Sequence, residues 1–293
     1  MIDTIIAATP ENMEAAQILA RDIGVELAPI ETSTFPDGET KVRATKAGLR
    51  TILFHRLDHP NDKLITLILA VSALRELGAT EIVLVAPYLC YMRQDQAFQT
   101  GEAVSQRVIA RLLSQWVDHI VTVEPHLHRT KNLSAIFPHT KTTAISAAPL
   151  LAALIDNETP PSEILLIGPD AEAHAWTKAV SERAGVPFIV LRKTQHGDRD
   201  VTITIDERAP IAGKHVYLVD DIVSSGATLC AAAQVLKKRG AARIVALAVH
   251  ALCGEKELKE IKNAGIVQLL STDTIPHKTS AISAISLIAR AVM

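Results

Sequence analysis

The fold of this chain is decided by one segment, Val216-Tyr217-Leu218-Val219-Asp220-Asp221-Ile222-Val223-Ser224-Ser225-Gly226-Ala227-Thr228-Leu229. It begins with an apolar run that predicts a buried strand, and it continues into a helical pattern that extends to about Arg239. Two carboxylates and a turn of small residues separate the strand from the helix. Since ligands of open α/β sheets bind at the carboxyl ends of strands, the segment predicts both an α/β fold and a binding site.

The residues of this turn suit a phosphorylated sugar. Backbone N–H groups at a helix start attract phosphate, and Gly226 lets the backbone approach closely. Asp220 and Asp221 can accept hydrogen bonds from sugar hydroxyls. Further donors are the hydroxyls of Ser224, Ser225 and Thr228. A lysine of the Walker type is missing, so the segment is not a P-loop. The alternative interpretation is a strand, a capping turn and a helix that bind no ligand.

Short β-branched runs alternate with helical patterns along the rest of the chain. The predicted strands are Thr51–His55, Ile82–Ala86, Ile120–Val123, Ile164–Ile167, Phe188–Leu191, Val216–Val219, Ile244–Val249 and Val267–Leu270. In one helical segment the residues expected to share a face are Val104, Val108, Ile109, Leu112 and Leu113. The alternation predicts parallel sheets built from right-handed crossovers.

The chain has 293 residues, about twice the length of a typical domain. We therefore expect two domains of similar size, residues 1–145 and 146–293. Hydrophobic residues make up 48% of the chain but aromatic residues only 3%, so the cores must be built from Ala, Val, Ile and Leu. Such cores suit parallel sheets that are covered by helices.

Charge and hydropathy exclude some classes of protein. Thirty basic residues against thirty-two acidic ones give a net charge of −2, which does not indicate a nucleic-acid-binding protein. The most apolar window, Leu64–Leu74, is short and predicts a buried helix, so we expect no membrane partner. The chain opens on Met1 without a basic segment, so a secretory signal is not expected and the predicted location is cytoplasmic.

At Asp220–Thr228 the chain resembles the phosphoribosyl diphosphate (PRPP) loop of the type I phosphoribosyltransferase fold. From Ala8-Thr9-Pro10 to Asp273-Thr274-Ile275-Pro276 it resembles the ribose-phosphate diphosphokinase family, also called PRPP synthases. The resemblance implies two similar domains of this fold, each a mainly parallel sheet flanked by helices. It also implies an enzyme that transfers the diphosphoryl group of ATP to the 1-hydroxyl of ribose 5-phosphate with the help of Mg²⁺. A homodimer or larger homo-oligomer is expected, with ATP between the two domains.

Two segments of the first half resemble the nucleotide-binding segments of this family. Phe35-Pro36-Asp37-Gly38-Glu39 is similar to its Phe-x-Asp-Gly-Glu adenine-binding loop, which implies ATP contacts by Phe35, Asp37 and Glu39 from a neighbouring subunit. Pro87–Asp95 is similar to its Pro-Tyr-x-x-Tyr-x-Arg-Gln-Asp, which implies that Arg93, Gln94 and Asp95 bind ATP. The stretch Phe98–Ser105 lacks the basic cluster of the phosphate-regulated members, so the chain is more similar to members without phosphate allostery.

Two further strand ends carry residues that the resemblance assigns to magnesium. Val121–His126 is similar to the family's Thr-Val-Asp-x-His, which implies that His126 contacts the metal on the nucleotide. Gly168-Pro169-Asp170 is similar to Ser-Pro-Asp, which implies that Asp170 binds the metal and faces the ribose. The family continues with glycines that hold diphosphate, whereas this chain has Ala171-Glu172-Ala173.

The segment Arg192–Val201 resembles the mobile catalytic loop of the family, which carries Lys-x-Arg. Lys193 matches the lysine, but Gln195 stands where the arginine is expected. Arg199 is the better candidate to replace the missing cation, because Arg192 should point away from Lys193 on a continuous strand.

Two alternative functions stay open. Gln195 and the glycine-poor Ala171–Ala173 turn favour a catalytically weak regulatory subunit that binds nucleotide and ribose phosphate. A phosphoribosyltransferase would explain the Asp220–Thr228 loop but not the Phe35–Glu39 and Arg93–Asp95 segments. An active diphosphokinase accounts for all of these residues together, and it is the function that we expect.

Overall fold

The computed structural model of the chain describes residues 3–127, 129–130, 132–195 and 201–293, and it describes only the backbone at residues 172, 193–195 and 201–203. The described residues form two compact units. The first extends to Ile145 and also includes Ala284–Met293, and the second is Ser146–Ser283.

The first unit is built on one sheet that is parallel except at one edge. Its strands are β1 (Thr4–Ala8), β2 (Glu26–Thr34), β3 (Thr40–Ala44), β4 (Arg50–Phe54), β5 (Glu81–Val85), β6 (His119–Val123) and β7 (Lys141–Ile145). They lie in the order β3-β2-β1-β4-β5-β6-β7, and β3 pairs antiparallel with β2. The helices are α1 (Met13–Ile23), α2 (Pro60–Glu76) and α3 (Ser105–Ser114). The central strands are continuous apolar runs because helices cover both faces of a parallel sheet.

The second unit repeats this plan. Its strands are β8 (Ile164–Gly168), β9 (Phe188–Val190), β10 (Arg192–Gln195), β11 (Val201–Thr204), β12 (His215–Val223), β13 (Arg243–Ala251), β14 (Gln268–Thr272) and β15 (Ser280–Ile282). The helices are α4 (Ala148–Ala153), α5 (His174–Ala184), α6 (Ala227–Lys238) and α7 (Glu255–Asn263). The main sheet has the order β15-β14-β13-β12-β8-β9, with parallel neighbours. β10 and β11 form a separate antiparallel ribbon.

The last helix, α8 (Ile285–Val292), belongs to the first unit. It buries Ile285, Ile288 and Val292, and it packs against α1, β6 and β7. The guanidinium of Arg50 donates a hydrogen bond from Nη2 to the carbonyl oxygen of Val292, at 2.8 Å. The expected second domain ran from residue 146 to residue 293, so the structure differs from it at this helix.

The expected α/β fold with two mainly parallel sheets is confirmed. All eight predicted strands are present, although β12 and β13 extend beyond the predicted ends. The apolar face expected for α3 is not its buried side throughout: Gln106, Ala110 and Leu113 are buried, whereas Val108 is 44% exposed. Gln106 can be buried because its amide donates a hydrogen bond to the carbonyl oxygen of Met92, at 3.2 Å. None of the helices in the described part of the chain is long and apolar enough to cross a membrane.

In the described residues, the main sheet of each unit contains one point at which the strand order reverses. In the first unit, β1 lies between β2 and β4, and in the second unit β8 lies between β9 and β12. Such a reversal opens a space beyond the carboxyl ends of two neighbouring strands, where ligands of α/β proteins bind. We call residues 9–12 and 55–59 the first switch point, and residues 169–173 and 219–228 the second switch point.

Candidate functional site

The second switch point carries two carboxylates near the end of β12. β12 pairs with β13 as far as Val223, but its pairing with β8 ends at Leu218. Asp220 and Asp221 therefore lie beyond the end of β8, and both are half-buried. At these two residues β12 is still paired with β13 but no longer with β8, so the space on the β8 side is open to a ligand.

A third carboxylate, that of Asp170, lies close to this pair. Burial raises the pKa of Asp220 well above its ordinary value, and the charges of Asp221 and Asp170 raise it further. The backbone N–H of Asp221 donates to Asp220 Oδ1 at 3.0 Å, and that of Ala173 donates to Asp170 Oδ1 at 3.2 Å. Mutual repulsion of three carboxylates is relieved by a cation or by hydrogen-bond donors such as sugar hydroxyls.

The turn that follows the carboxylates leads directly into α6. Gly226 has a φ of 68°, in the left-handed region, and a Cβ at this position would lie 2.8 Å from the side chain of Ile261, so both the backbone conformation and the packing favour glycine. Ser225 Oγ accepts a long hydrogen bond of 3.4 Å from the first backbone N–H of α6. Within the described residues, the side chains of Ser224 and Thr228 make no hydrogen bond. The helix start therefore keeps donors for an anion.

The turn after β8 is closely packed. A Cβ on Gly168 would lie 2.6 Å from Thr177 Oγ1 and 3.3 Å from Ala173 Cβ, so only glycine fits there. Residues Ala171–Ala173 form a short 3-10 turn, and Ala173 is buried. This alanine, which stands in the part of the turn where the family has glycines, packs its methyl group inward.

The Phe35–Glu39 segment forms the tip of the β2–β3 hairpin. The backbone N–H of Phe35 donates to the Glu39 carbonyl at 2.8 Å, and Asp37 Oδ1 accepts from the Glu39 N–H at 3.1 Å. Gly38 has a φ of 95°. The ring of Phe35 is 49% exposed, and among the described residues no hydrogen bond or ion pair joins this tip to Arg93–Asp95. An exposed aromatic ring beside two carboxylates is available to an incoming base.

The Arg93–Asp95 segment lies against the start of α3. Gln94 Oε1 accepts a hydrogen bond from Ser105 Oγ at 2.5 Å, and Asp95 Oδ1 accepts one from Arg129 Nη1 at 2.7 Å. Arg93 is exposed and forms no ion pair with the described residues, so its charge is available to an anion. Arg129 was missed by sequence reasoning, because nothing in the sequence joins it to a carboxylate 34 positions earlier.

His126 is half-buried in the segment that follows β6. Two residues before it, Glu124 has a φ of 37°, which is unusual for a residue with a side chain and indicates a backbone held in place by its surroundings. The N–H of Glu124 donates to the Ile145 carbonyl at 2.9 Å. Thus the loop that carries His126 is anchored to the end of β7.

The carboxylates of the second switch point suit a magnesium ion. The described residues contain no group of three or more His, Cys, Asp or Glu side chains arranged as a preformed metal site. Magnesium does not need such a cage, because it is commonly held by one or two carboxylates together with water and substrate phosphates. Asp170 beside Asp220 provides hard oxygen donors of this kind, and their repulsion favours a cation.

The expected catalytic cations are described only in part. Lys193 and Gln195 belong to the strand β10, as the expected alternation of Arg192 and Lys193 requires. The side chains of Lys193 and Gln195 lie outside the described part of the structure. Arg199 lies outside the described residues altogether. The roles of Lys193 and Arg199 stay predictions.

Comparison with known proteins identifies the family. The N-terminal domain of ribose phosphate pyrophosphokinase matches residues 4–116, and a phosphoribosyl transferase domain matches residues 139–281. A ribose-phosphate pyrophosphokinase from Methanopyrus kandleri is 32% identical over 290 residues, which is 98% of each chain. The chain belongs to the ribose-phosphate pyrophosphokinase family. Another family member, from Methanothermobacter thermautotrophicus, is 34% identical over 267 residues, 90% of each chain.

A solved structure supports the fold of this ribose-phosphate pyrophosphokinase family member. The crystal structure of phosphoribosylpyrophosphate synthetase from Mycobacterium smegmatis matches with a TM-score of 0.85. It covers 99% of this chain and 97% of its own, at 22% sequence identity. The expected resemblance to the family, which rested on short motifs, is confirmed over nearly the whole chain.

Proposed function

We propose that this chain is a ribose-phosphate diphosphokinase, which makes PRPP and AMP from ribose 5-phosphate and ATP. One observation carries the proposal: Asp220, Asp221 and Asp170 converge beside the start of α6, whose turn retains hydrogen-bond donors. Acceptors for sugar hydroxyls next to donors for a phosphate are what ribose 5-phosphate requires. Family membership supports the same reaction, since the curated relatives are ribose-phosphate pyrophosphokinases.

In the proposed reaction, the 1-hydroxyl oxygen of ribose 5-phosphate attacks the β-phosphorus of ATP. A bond forms between these two atoms, and the bond from the β-phosphorus to the oxygen that bridges the α- and β-phosphates breaks. AMP leaves with that oxygen, and the hydroxyl proton is released. Because the charge is spread over phosphoryl oxygens, catalysis consists mainly of positioning and neutralisation.

The proposed sugar contacts belong to the second switch point. Asp220 and Asp221 would accept hydrogen bonds from the ribose hydroxyls and hold the ring. The 5-phosphate would be bound by the first N–H groups of α6 together with Ser224, Ser225, Gly226 and Thr228.

The proposed nucleotide contacts belong to the first unit, residues 1–145, which we propose as the ATP-binding domain. Arg93 would neutralise phosphate charge, and Gln94 and Asp95 would bond the nucleotide. Phe35 would stack on the adenine while Asp37 and Glu39 accept from its amino group. We propose that this hairpin tip is contributed by a neighbouring subunit, so that the active protein is a homodimer or a larger homo-oligomer. A cytoplasmic location is part of the proposal, because ATP and sugar phosphates are found there.

Magnesium is the proposed metal, with Asp170 and His126 as its protein contacts. It would supply positive charge to the phosphate oxygens. Asp170 is an oxygen ligand of the preferred kind, whereas an imidazole such as that of His126 suits an indirect contact through water. Lys193 would add a fixed cation, with Arg199 in place of the arginine that Gln195 replaces.

The nucleotide product distinguishes diphosphoryl transfer from an ordinary kinase or hydrolase reaction. Purified chain is incubated with ribose 5-phosphate, ATP and Mg²⁺, and nucleotides are separated by chromatography. AMP in equal amount to PRPP is expected. ADP instead of AMP would indicate an ordinary kinase or a hydrolase and would contradict the proposal.

A regulatory subunit with weak catalysis is the second candidate, and it is favoured by Gln195 and by the glycine-poor turn Ala171–Ala173. The loss of one cation that neutralises the transferring phosphates, such as the arginine that Gln195 replaces, can lower the rate on the order of 10³-fold. If Arg199 acts as the substitute, Gln195→Arg should leave turnover unchanged and Arg199→Ala should abolish it. A rise of about 10³ in Gln195→Arg would show that the natural chain is catalytically impaired, in agreement with the regulatory function.

A further inference from the structure

An ion pair holds the side chain of Asp95 in the nucleotide segment. Arg129 Nη1 lies 2.7 Å from Asp95 Oδ1, and the side chain of Asp95 is only 9% exposed whereas that of Arg129 is 51% exposed. Within the described residues, Asp95 Oδ2 accepts no hydrogen bond. One carboxylate oxygen is therefore used by the arginine, and the second is left for a ligand.

The path of the segment depends on other contacts. The backbone N–H of Gln106 donates to the carbonyl oxygen of Gln94, and its side chain donates to that of Met92, both at 3.2 Å. Gln106 is itself buried. Loss of the Arg129 side chain should therefore leave this stretch of backbone in place and release the Asp95 carboxylate from its fixed orientation.

Stability does not account for this ion pair. Pairs with a half-exposed partner contribute about 0–1 kcal/mol, because solvent screens the charges and the long side chain loses entropy. A guanidinium is, however, planar and directional, so it fixes the rotation of the carboxylate that it contacts. Its effect should thus be found in binding rather than in folding.

Resting on the proposed function, we infer that Arg129 is a positioning residue for the nucleotide. It holds Asp95 so that Oδ2 accepts a hydrogen bond from an amino or hydroxyl group of ATP. Without it, the carboxylate can rotate, and part of the binding free energy is lost to ordering it again.

The same region offers a matched control. Arg129 and Asp95 line a cavity of about 1030 Å³, and Arg107 of α3 lines it too. Arg107 is exposed and has no ion pair with the described residues. Arg107→Gln therefore removes the same charge from the same cavity without touching Asp95.

Steady-state AMP formation by the full-length chain tests the inference, with ATP varied at saturating ribose 5-phosphate and the reverse. Arg129→Gln should raise the KM for ATP on the order of ten-fold, the expected loss for a hydrogen bond to a charged group. The KM for ribose 5-phosphate and the melting temperature should stay unchanged, and Arg129→Lys should recover part of the loss. Arg107→Gln should behave like the wild type.

A double variant separates positioning from direct contact. If Arg129 acts through Asp95, Asp95→Asn with Arg129→Gln should be no worse than Asp95→Asn alone. Multiplied effects would mean that Arg129 contacts ATP itself, and equal effects of Arg107→Gln would mean that only the charge of the cavity matters. Either result overturns the inference, as does an unchanged KM for ATP in Arg129→Gln.

Calorimetric ATP binding to the same variants keeps the two proposals distinct. If the wild type makes no AMP but binds ATP, the proposed reaction is wrong, and the Kd ratio of Arg129→Gln to Arg107→Gln decides on Arg129: a ratio near ten supports its role and a ratio near one refutes it. If the wild type does not bind ATP, both proposals are wrong.

Discussion

The two switch points have the same topology, but their side chains act differently. Counted from the first paired residues of β4 and β12, His55 and Arg56 occupy the positions that Asp220 and Asp221 occupy in the second unit. In both units the residue before the following helix is in the left-handed region: His59 with a φ of 48° and Gly226 with a φ of 68°. The backbone plan is thus repeated, whereas basic side chains in the first unit stand at the positions of acidic side chains in the second.

At the first switch point most of the named polar groups bind one another, although His55 Nδ1 is buried without a hydrogen-bond partner among the described residues. Asn12 Nδ2 donates to Thr9 Oγ1 at 2.8 Å, and Asn12 Oδ1 accepts from the backbone N–H of Arg56 at 3.4 Å. The guanidinium of Arg56 lies 5.4 Å from the ring centroid of Phe54, and His55 Nε2 lies 3.0 Å from the Lys63 carbonyl oxygen. These contacts are largely buried, and one of them joins residues 44 positions apart, so we interpret this switch point as part of the core.

At the second switch point the charges of Asp221 and Asp170 act unfavourably on Asp220. The pKa of Asp220 is raised, and the hydroxyls of Ser224 and Thr228 make no hydrogen bond there. Clustered carboxylates beside a helix start that carries hydroxyl donors indicate a site for a ligand. The comparison teaches that the topology offers the same position twice, and that the side chains decide whether the protein or a ligand fills it.

The largest expected effect separates activity from stability. Asp221→Asn should lower kcat/KM for ribose 5-phosphate about 100-fold, because a charged acceptor is lost. It should not lower the melting temperature, since repulsion with Asp220 decreases. AMP formation and thermal unfolding measure both quantities. Glu182→Gln, an exposed carboxylate of α5, is the control, and wild-type kcat/KM in Asp221→Asn would show that the sugar binds elsewhere.

The next effect belongs to the first switch point and depends on pH. Burial lowers the pKa of His55 from 6.5 to about 4, and it outweighs the opposing effect of the hydrogen bond to the Lys63 carbonyl oxygen; the smaller charge effects of Lys63 and Asp58 have opposite signs. Between these values the unfolded chain binds the proton and the folded chain does not, so stability falls as the pH falls from 6.5 to 4. A shift of this size corresponds to about 3 kcal/mol in the free energy of unfolding.

Denaturant unfolding at pH 7 and at pH 4.5 tests this effect. The difference between the two values should be smaller in His55→Gln, which has no proton to take up. Equal pH dependence in the variant and the wild type would refute the contribution of His55.

A smaller effect is expected at the glycine of the second switch point. Gly226→Ala places a methyl group 2.8 Å from Ile261 in a left-handed conformation, which should cost about 1–3 kcal/mol of stability. It should also raise the KM for ribose 5-phosphate, because the helix start is displaced. Denaturant unfolding and substrate titration measure the two. A fully stable variant with unchanged KM would contradict the packing described for this turn.

The smallest effect has the opposite sign. His59 is exposed and left-handed, so His59→Gly removes backbone strain and should stabilise the chain by about 0.5 kcal/mol after the entropy cost of glycine. The KM for ribose 5-phosphate should be unchanged. A loss of stability would show that the imidazole of His59 makes a contribution that its exposure does not suggest.

Much of this picture follows from sequence patterns, with identifiable gaps. The eight predicted strands are apolar and β-branched, as buried parallel strands are, although β1, which is also buried and parallel, was not predicted. β2 and β3 were not predicted, because an edge hairpin that alternates between buried and exposed residues lacks this signal. The burial of Gln106 was not foreseen either, since its hydrogen bond to Met92 depends on tertiary contact.

The sequence by itself determined the α/β class, the family and the acidic, glycine-bearing loop, because these depend on local patterns and short motifs. Only the tertiary structure decided that α8 packs with the first unit, that Asp170 lies beside Asp220 and that Arg129 holds Asp95. Each of these contacts joins residues far apart in the chain. Their pairing is set by the packing of sheets and helices, and no local pattern of residues specifies it.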